Sequence, residues 1–222
     1  MATNDTTRRL LTCGVAAGPL YLEVGLAQAL TRPGFDLTRH DLSLLANGSL
    51  GWIQICNFLA SGALTIAAAA GLRRAGAASK WAARLISAYG IGLLGAGIFI
   101  ADPAMGFPPG TPADADAVSW HGLLHLACGG LGFMALIVAC FIAARHFARA
   151  RERAWAGYSA ATGAIFFLSF AGIACGSGSS TTVIGFWIGV ALAWSWIAAM
   201  SARALSGLRS SAEGRLTAAA AA

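Results

Sequence analysis

Six long apolar runs alternate with short polar segments along the chain, at approximately Leu10–Leu30, Ser49–Leu72, Ala82–Ala101, Val118–Ala144, Ala156–Cys175 and Thr182–Leu205. About twenty consecutive apolar residues cross the hydrocarbon core of a bilayer as a helix. Lipid offers the backbone no hydrogen-bond partner, so each crossing segment has to be helical. The pattern therefore predicts an all-α fold, a polytopic bundle of six transmembrane helices. The fourth run is longer than a span requires, which fits tilt or an extra turn beyond the membrane. Residues 1–9 form a cytoplasmic N-terminus, 10–205 the transmembrane domain, and the Ala-rich 206–222 a disordered cytoplasmic tail. The first run follows Arg8 and Arg9, but it is too long for a signal-peptide core and lacks a convincing cleavage site, so it is expected to remain in the mature protein.

Composition agrees with that division. Of 222 residues, 57% are hydrophobic and 11% charged, and the mean hydropathy is +0.68. Soluble domains carry roughly 25% charged residues. The excess of fifteen Lys and Arg over nine Asp and Glu does not point to a nucleic-acid partner, because the basic residues cluster between the apolar runs. With the N-terminus inside, thirteen of them fall on inner segments and only Arg32 and Arg39 on outer ones. Basic residues favour the cytoplasmic side, so both termini are assigned to the cytoplasm and the protein to a bacterial cytoplasmic (inner) membrane, with lipids as its immediate partners.

The outer loops differ in kind. Thr31–Gly48 opens with an Arg-Pro-Gly turn, and Asp41 is placed to cap a short helical turn through Leu42, Leu44 and Leu45 that ends at Asn47-Gly48. Asp102–Ala117 is proline-rich and acidic, with Asp114 and Asp116 read as solvated charges. Gly176–Thr181 is a short Gly/Ser link.

The segment GPLYLEVGLAQALTRPGFDLTRHDLSLLANGSLGWIQICNF, followed by FIADPAMGFPPGTP and WHGLLH, resembles the bacterial membrane family known as domain of unknown function 998. The resemblance spans roughly Gly14 to Leu205. It implies a multi-helix membrane fold and brings no activity with it, so function has to be argued from polar residues in the spans, which are costly there and mark function or packing. Glu23 lies about 10 Å from the outer end of the first span at 1.5 Å per residue, and His125 lies at a similar depth in the fourth. His121 is one turn nearer the surface on the same face, and Gln54 and Asn57 begin a polar stripe on the second span that continues to Ser61 and Thr65.

These residues, with Arg39, His40, Asp41 and Asp102 from the loops, predict an outward-facing polar cavity that binds or passes a lipid or small molecule. Glu23 points away from the face of Gly14, Gly18, Tyr21 and Gly25, where Gly14 and Gly18 suit close helix contact. The first helix is therefore expected to be enclosed on both sides. Two other functions remain open. His121 and His125, at i and i+4, can reach one zinc-like divalent ion, which would suit an intramembrane hydrolase at the outer leaflet; the segment lacks the Glu of H-E-x-x-H. An accessory or sensory subunit is the third. The plainer account of the histidines is a hydrogen bond to Glu23 or Asp102. Cys56 and Cys175 both lie toward the outer side, so a disulfide between them is conceivable without any motif to support it. Trp52, Trp120 and Trp155 fall near span boundaries, as interfacial aromatics do.

Overall fold

The protein was analysed as a computed structural model, which describes residues 2–115, 117–175 and 179–220, with side chains over the part of these between 4 and 210. Among the described residues, six helices are long and apolar enough to cross a membrane. They are α1 (Ala2–Thr31), α2 (Gly51–Arg74), α3 (Lys80–Ile98), α4 (Trp120–Arg149), α5 (Arg153–Ala174) and α6 (Ser180–Ala220). A short 3₁₀ turn, the cap helix (Leu42–Ala46), lies between α1 and α2. Each apolar run thus appears as a helix with ends within a few residues of those expected, save two. The first helix begins at Ala2, and α6 continues to Ala220 through the segment expected to be a disordered tail. Asp116 and Gly176 lie outside the described residues, as does the side chain of Arg215.

Each helix packs on the next, and α6 returns to α1, so the six antiparallel neighbours close into a ring. Between lipid-embedded helices there is no hydrophobic drive, and association relies on close packing and interhelical hydrogen bonds. Both are present. A Cβ at Gly14 would collide with Ser201 of α6 and come within 2.7 Å of Ala68 of α2; one at Gly18 would stand 3.0 Å from the Trp194 carbonyl. Gly62 and Gly90 face each other across α2 and α3, where either Cβ would lie 2.8 Å from the other residue's carbonyl oxygen. On the α5–α6 side, the Trp196 indole donates to the Ser159 hydroxyl over 2.9 Å.

The polar stripe of α2 belongs to the same glue. Gln54 accepts from Gln28 Nε2 at 2.9 Å, and Asn57 Nδ2 donates to the Tyr21 carbonyl at 3.1 Å. Ser61 donates to Asn57 Oδ1, and Thr65 to the Ser61 carbonyl. These side chains are buried between α1 and α2.

The arginine-rich end gathers the N-terminus of α1 and the α2–α3 and α4–α5 connections. There Arg203 of α6 pairs with Glu152 at 2.6 Å and lies over the rings of Phe147 and Trp155 at 5.1 and 4.9 Å. Trp155 is accordingly half-buried under a guanidinium, while Trp52 and Trp120 stand 61% and 64% exposed on the perimeter at the opposite end.

Gly14→Leu forces bulk into the α1–α6 crossing and is expected to destabilise the protein by about 1–3 kcal/mol, the usual cost of overpacking. Gly157→Ala, where an added Cβ meets nothing within 4 Å, is expected to be neutral or stabilising by up to about 1 kcal/mol through helix propensity. Thermal melts of the two variants in detergent check the contrast.

Candidate functional site: a capped cavity

At the end opposite the arginines, the loop after α1 and the loop before α4 interlock into a cap. Arg32 organises it. Its guanidinium donates to the carbonyls of Leu45 and Asn47, the latter at 2.6 Å, and lies 4.9 Å from the centre of the Phe107 ring. Asn47 Nδ2 crosses to the Ala101 carbonyl at 3.0 Å. His40 is fully committed: its Nδ1 accepts from the Asp36 amide at 2.9 Å, and its Nε2 donates to the Met105 carbonyl at 3.0 Å. Because the carbonyl can only accept and the amide only donate, the imidazole is the neutral Nε2–H tautomer. Asp36 accepts from the Thr38 hydroxyl and amide at 2.7 and 2.8 Å, bonds that hold its carboxyl below the usual value. Two glycines in the left-handed region let the loops meet. Gly34 (φ +80°) sits against Pro109, and Gly48 (φ +75°) leaves room for the Arg32 guanidinium and Pro108.

The cap helix closes the ring from above. Leu42 reaches toward α1, where a Cβ on Gly25 would lie 2.8 Å from its side chain. Beneath lies a cavity of about 120 Å³. Its roof is Asp41, Leu42 and Ser43, and its wall includes Phe58 of α2 and His125 and Gly129 of α4. Tyr21 and Tyr89 line it from below, packed against the fully buried Trp194 with ring centroids 4.8 and 5.5 Å away. On the far side, Phe133, Phe170, Phe186 and Trp187 complete the lining. The surface is overwhelmingly apolar, in contrast to the polar cavity expected.

A few polar groups remain at its edge. Asp41 precedes the cap helix without capping it, contrary to the expected role, and its Oδ1 is buried with no hydrogen-bond partner. Burial pushes the carboxyl up to about 6. The indole N–H of Trp187 is likewise buried and unpartnered. His125 Nδ1 lies 3.0 Å from the Ala96 carbonyl and 2.8 Å from that of Phe99, which otherwise go unpaired at the end of α3. Carbonyls only accept, so Nδ1 carries the proton and Nε2 is left as an acceptor when the ring is neutral.

The residues expected to converge do not all do so. Asp41 and His125 line the cavity. Gln54 and Asn57 are buried in the α1–α2 seam, and His40 in the cap. Arg39 is exposed. Asp102 accepts from the Ser119 amide at 2.7 Å at the start of α4, so close that a Cβ at Gly122 would overlap its carboxylate. A carboxylate there complements the helix dipole. His121 is exposed, its ring 3.6 Å from that of Trp120. Glu23 is exposed on the perimeter of the ring; the second enclosure expected for α1 is not supplied by this chain. Among the described residues, no group of three or more His, Cys, Asp and Glu side chains is arranged to hold a metal ion. Cys56 and Cys175 are both exposed free thiols. Tyr89 and Trp187 were the residues that sequence reasoning passed over, since aromatic residues in apolar runs carry no local sign of facing a void.

A closed ring of six membrane-length helices over a capped cavity defines a multi-pass integral membrane protein of the helical-bundle class. The chain belongs to the family described as Protein of unknown function (DUF998), whose model matches residues 15–203. No curated protein and no solved structure matches it.

Two outcomes follow from the cap. The ordinary Asp value is about 3.9, so between about pH 4 and 6 the folded protein keeps an Asp41 proton that the unfolded chain has lost. Stability therefore falls as pH rises through that window and levels off above it. Asp41→Asn is expected to raise stability by about 1–3 kcal/mol above that window and to leave it unchanged near pH 4, as read by melting at the two pH values. Arg32→Ala strands two buried carbonyls and is expected to cost about 2–3 kcal/mol. It also speeds amide exchange across the cap helix, and Arg32→Lys, with a point charge in place of a fork, restores only part of the protection.

Proposed function

We propose that this protein binds a small, largely apolar molecule in the capped cavity, and that the capped end faces the outside of the cytoplasmic membrane. The orientation is supported by the basic residues at the opposite end, which favour the cytoplasmic side. The observation that carries the binding function is a void lined mainly by aromatic and aliphatic side chains, with Asp41 and Trp187 at its edge, each holding a buried polar atom that no described residue satisfies. Buried polar groups are normally paired, and apolar pockets with a few convergent polar groups are where small ligands bind.

Volume narrows the ligand. An engineered apolar cavity of about 150 Å³ takes up benzene, so the space of about 120 Å³ here suits one ring or a short chain. A whole phospholipid is too large; a lipid reaches it only with part of a chain. The route in runs through the α4 side of the ring. Leu126 both lines the cavity and is 61% exposed on the perimeter, and a Cβ at the neighbouring lining residue Gly129 would meet nothing within 4 Å. Access from the bilayer suits a hydrophobic ligand that partitions there first.

Benzyl alcohol, a neutral single-ring probe, is expected to bind the protein in nanodiscs by calorimetry against empty nanodiscs. Gly129→Leu, which places a side chain in the open space of the wall, is expected to weaken that binding at least about tenfold, equivalent to 1.4 kcal/mol, without lowering the melting temperature. Absence of saturable binding of any single-ring probe to the wild type, or equal affinity in the variant, overturns this function.

A further inference from the structure

The groups that the cavity leaves unsatisfied also specify a charge. Among the described residues that line it, seven are aromatic, Asp41 alone bears a full charge near neutrality, and none is Lys or Arg. His125, a lining residue, spends its proton on the carbonyls of α3, so its other ring nitrogen is left with a lone pair. Asp41 adds a carboxylate with Oδ1 unpaired. The remaining hydroxyls, on Tyr21, Tyr89 and Ser43, accept as readily as they donate, and the single fixed donor is the Trp187 indole. A ring of aromatic faces, an unpaired carboxylate and an imidazole lone pair attract positive charge and N–H donors, while an anion would meet the carboxylate.

We propose that the ligand is an organic cation, a protonated amine on a small apolar body, with its ammonium donating to Asp41 and to His125 Nε2 and its body among the aromatic rings. This assignment rests on the cavity being a binding site, as argued above. The ammonium supplies the counter-charge that Asp41 lacks among the described residues. It also explains why a carboxylate is retained in a roof that would be more stable without it. Neutral molecules of the same shape gain the packing and lose the ion pair; anions of the same shape are rejected.

The titratable groups facing Asp41 across the cavity are Tyr21 of α1, Tyr89 of α3 and His125 of α4, while α2, α5 and α6 present only uncharged aromatic and aliphatic side chains there. In its own loop stand the exposed Arg39 and the neutral His40, which is bonded to Met105. As pH falls, protonation of Asp41 removes the negative charge. That weakens cation binding, so affinity for an amine declines toward acid as Asp41 titrates near 6.

Three probes of one shape test the assignment: benzylammonium, benzyl alcohol and benzoate, titrated into the full-length protein in nanodiscs of zwitterionic lipid at about pH 8, where Asp41 is ionised. Benzylammonium is expected to bind at least about tenfold more tightly than the alcohol, and benzoate not at all. In Asp41→Asn the ammonium loses at least about tenfold while the alcohol changes less than about twofold. Because that variant is expected to be more stable than the wild type, misfolding does not account for the loss, and a melt on the same sample checks it. If the alcohol binds as tightly as the ammonium, or Asp41→Asn leaves ammonium binding unchanged, the cation assignment is wrong and the cavity remains a neutral binding site. If none of the three binds, the cavity is not a ligand site and both conclusions fall.

Discussion

Arg32 donates to the Leu45 and Asn47 carbonyls and lies against Phe107, and through these contacts one guanidinium ties the loop after α1 to the loop before α4. Two carbonyls, each short of a partner at a turn, match the fork of an arginine better than any other side chain. The rest of the capped end depends on that match. Leu42 is held against Gly25, His40 bridges from Asp36 to Met105, and Asn47 reaches Ala101. Without this lattice the cap helix, at five residues, has no stability of its own, because helix nucleation is costly and short helices are marginal alone.

The cap and the ring solve different problems. Helices in lipid gain nothing from apolar contact alone, so the ring is drawn together by glycines at the α1–α6 and α2–α3 crossings and by the amide chain from Gln28 through Asn57. Where those contacts are tight, the interior is filled by Trp194, Leu136 and Ile197. Toward the cap the filling gives way to the void that Gly129 helps to line. Placing Asp41 in its roof costs stability in the empty protein, because burial disfavours the charged carboxylate.

Several motif residues that suggested chemistry turn out to build the scaffold. His40 has both ring nitrogens engaged by the backbone, and Asp102 accepts from the amide of Ser119, the residue that caps α4. Histidine and carboxylate are as well suited to satisfying backbone groups in irregular loops as to catalysis, and the same donor and acceptor sites serve either purpose. The roles reverse for aromatic residues. Tyr21, Tyr89 and Trp187, which blend into apolar spans, are the ones that surround the cavity.

By itself, the sequence determined the membrane class, the six helices and the short turn after Asp41, because each follows from local composition and the length needed to cross hydrocarbon. It also located the close face of α1, since Gly14 and Gly18 recur one turn apart and small residues have one main use in a span. What it could not settle was which side of each helix faces a neighbour, a void or the perimeter. Glu23 was expected to be enclosed and is exposed; Gln54 and Asn57 were expected to line a cavity and join α1 to α2 instead. Depth along a helix is set by residue number, but direction around it is set by partners distant in the chain. Only the closure of α6 onto α1 and the descent of the cap onto the ring brought Asp41 and His125 to one cavity.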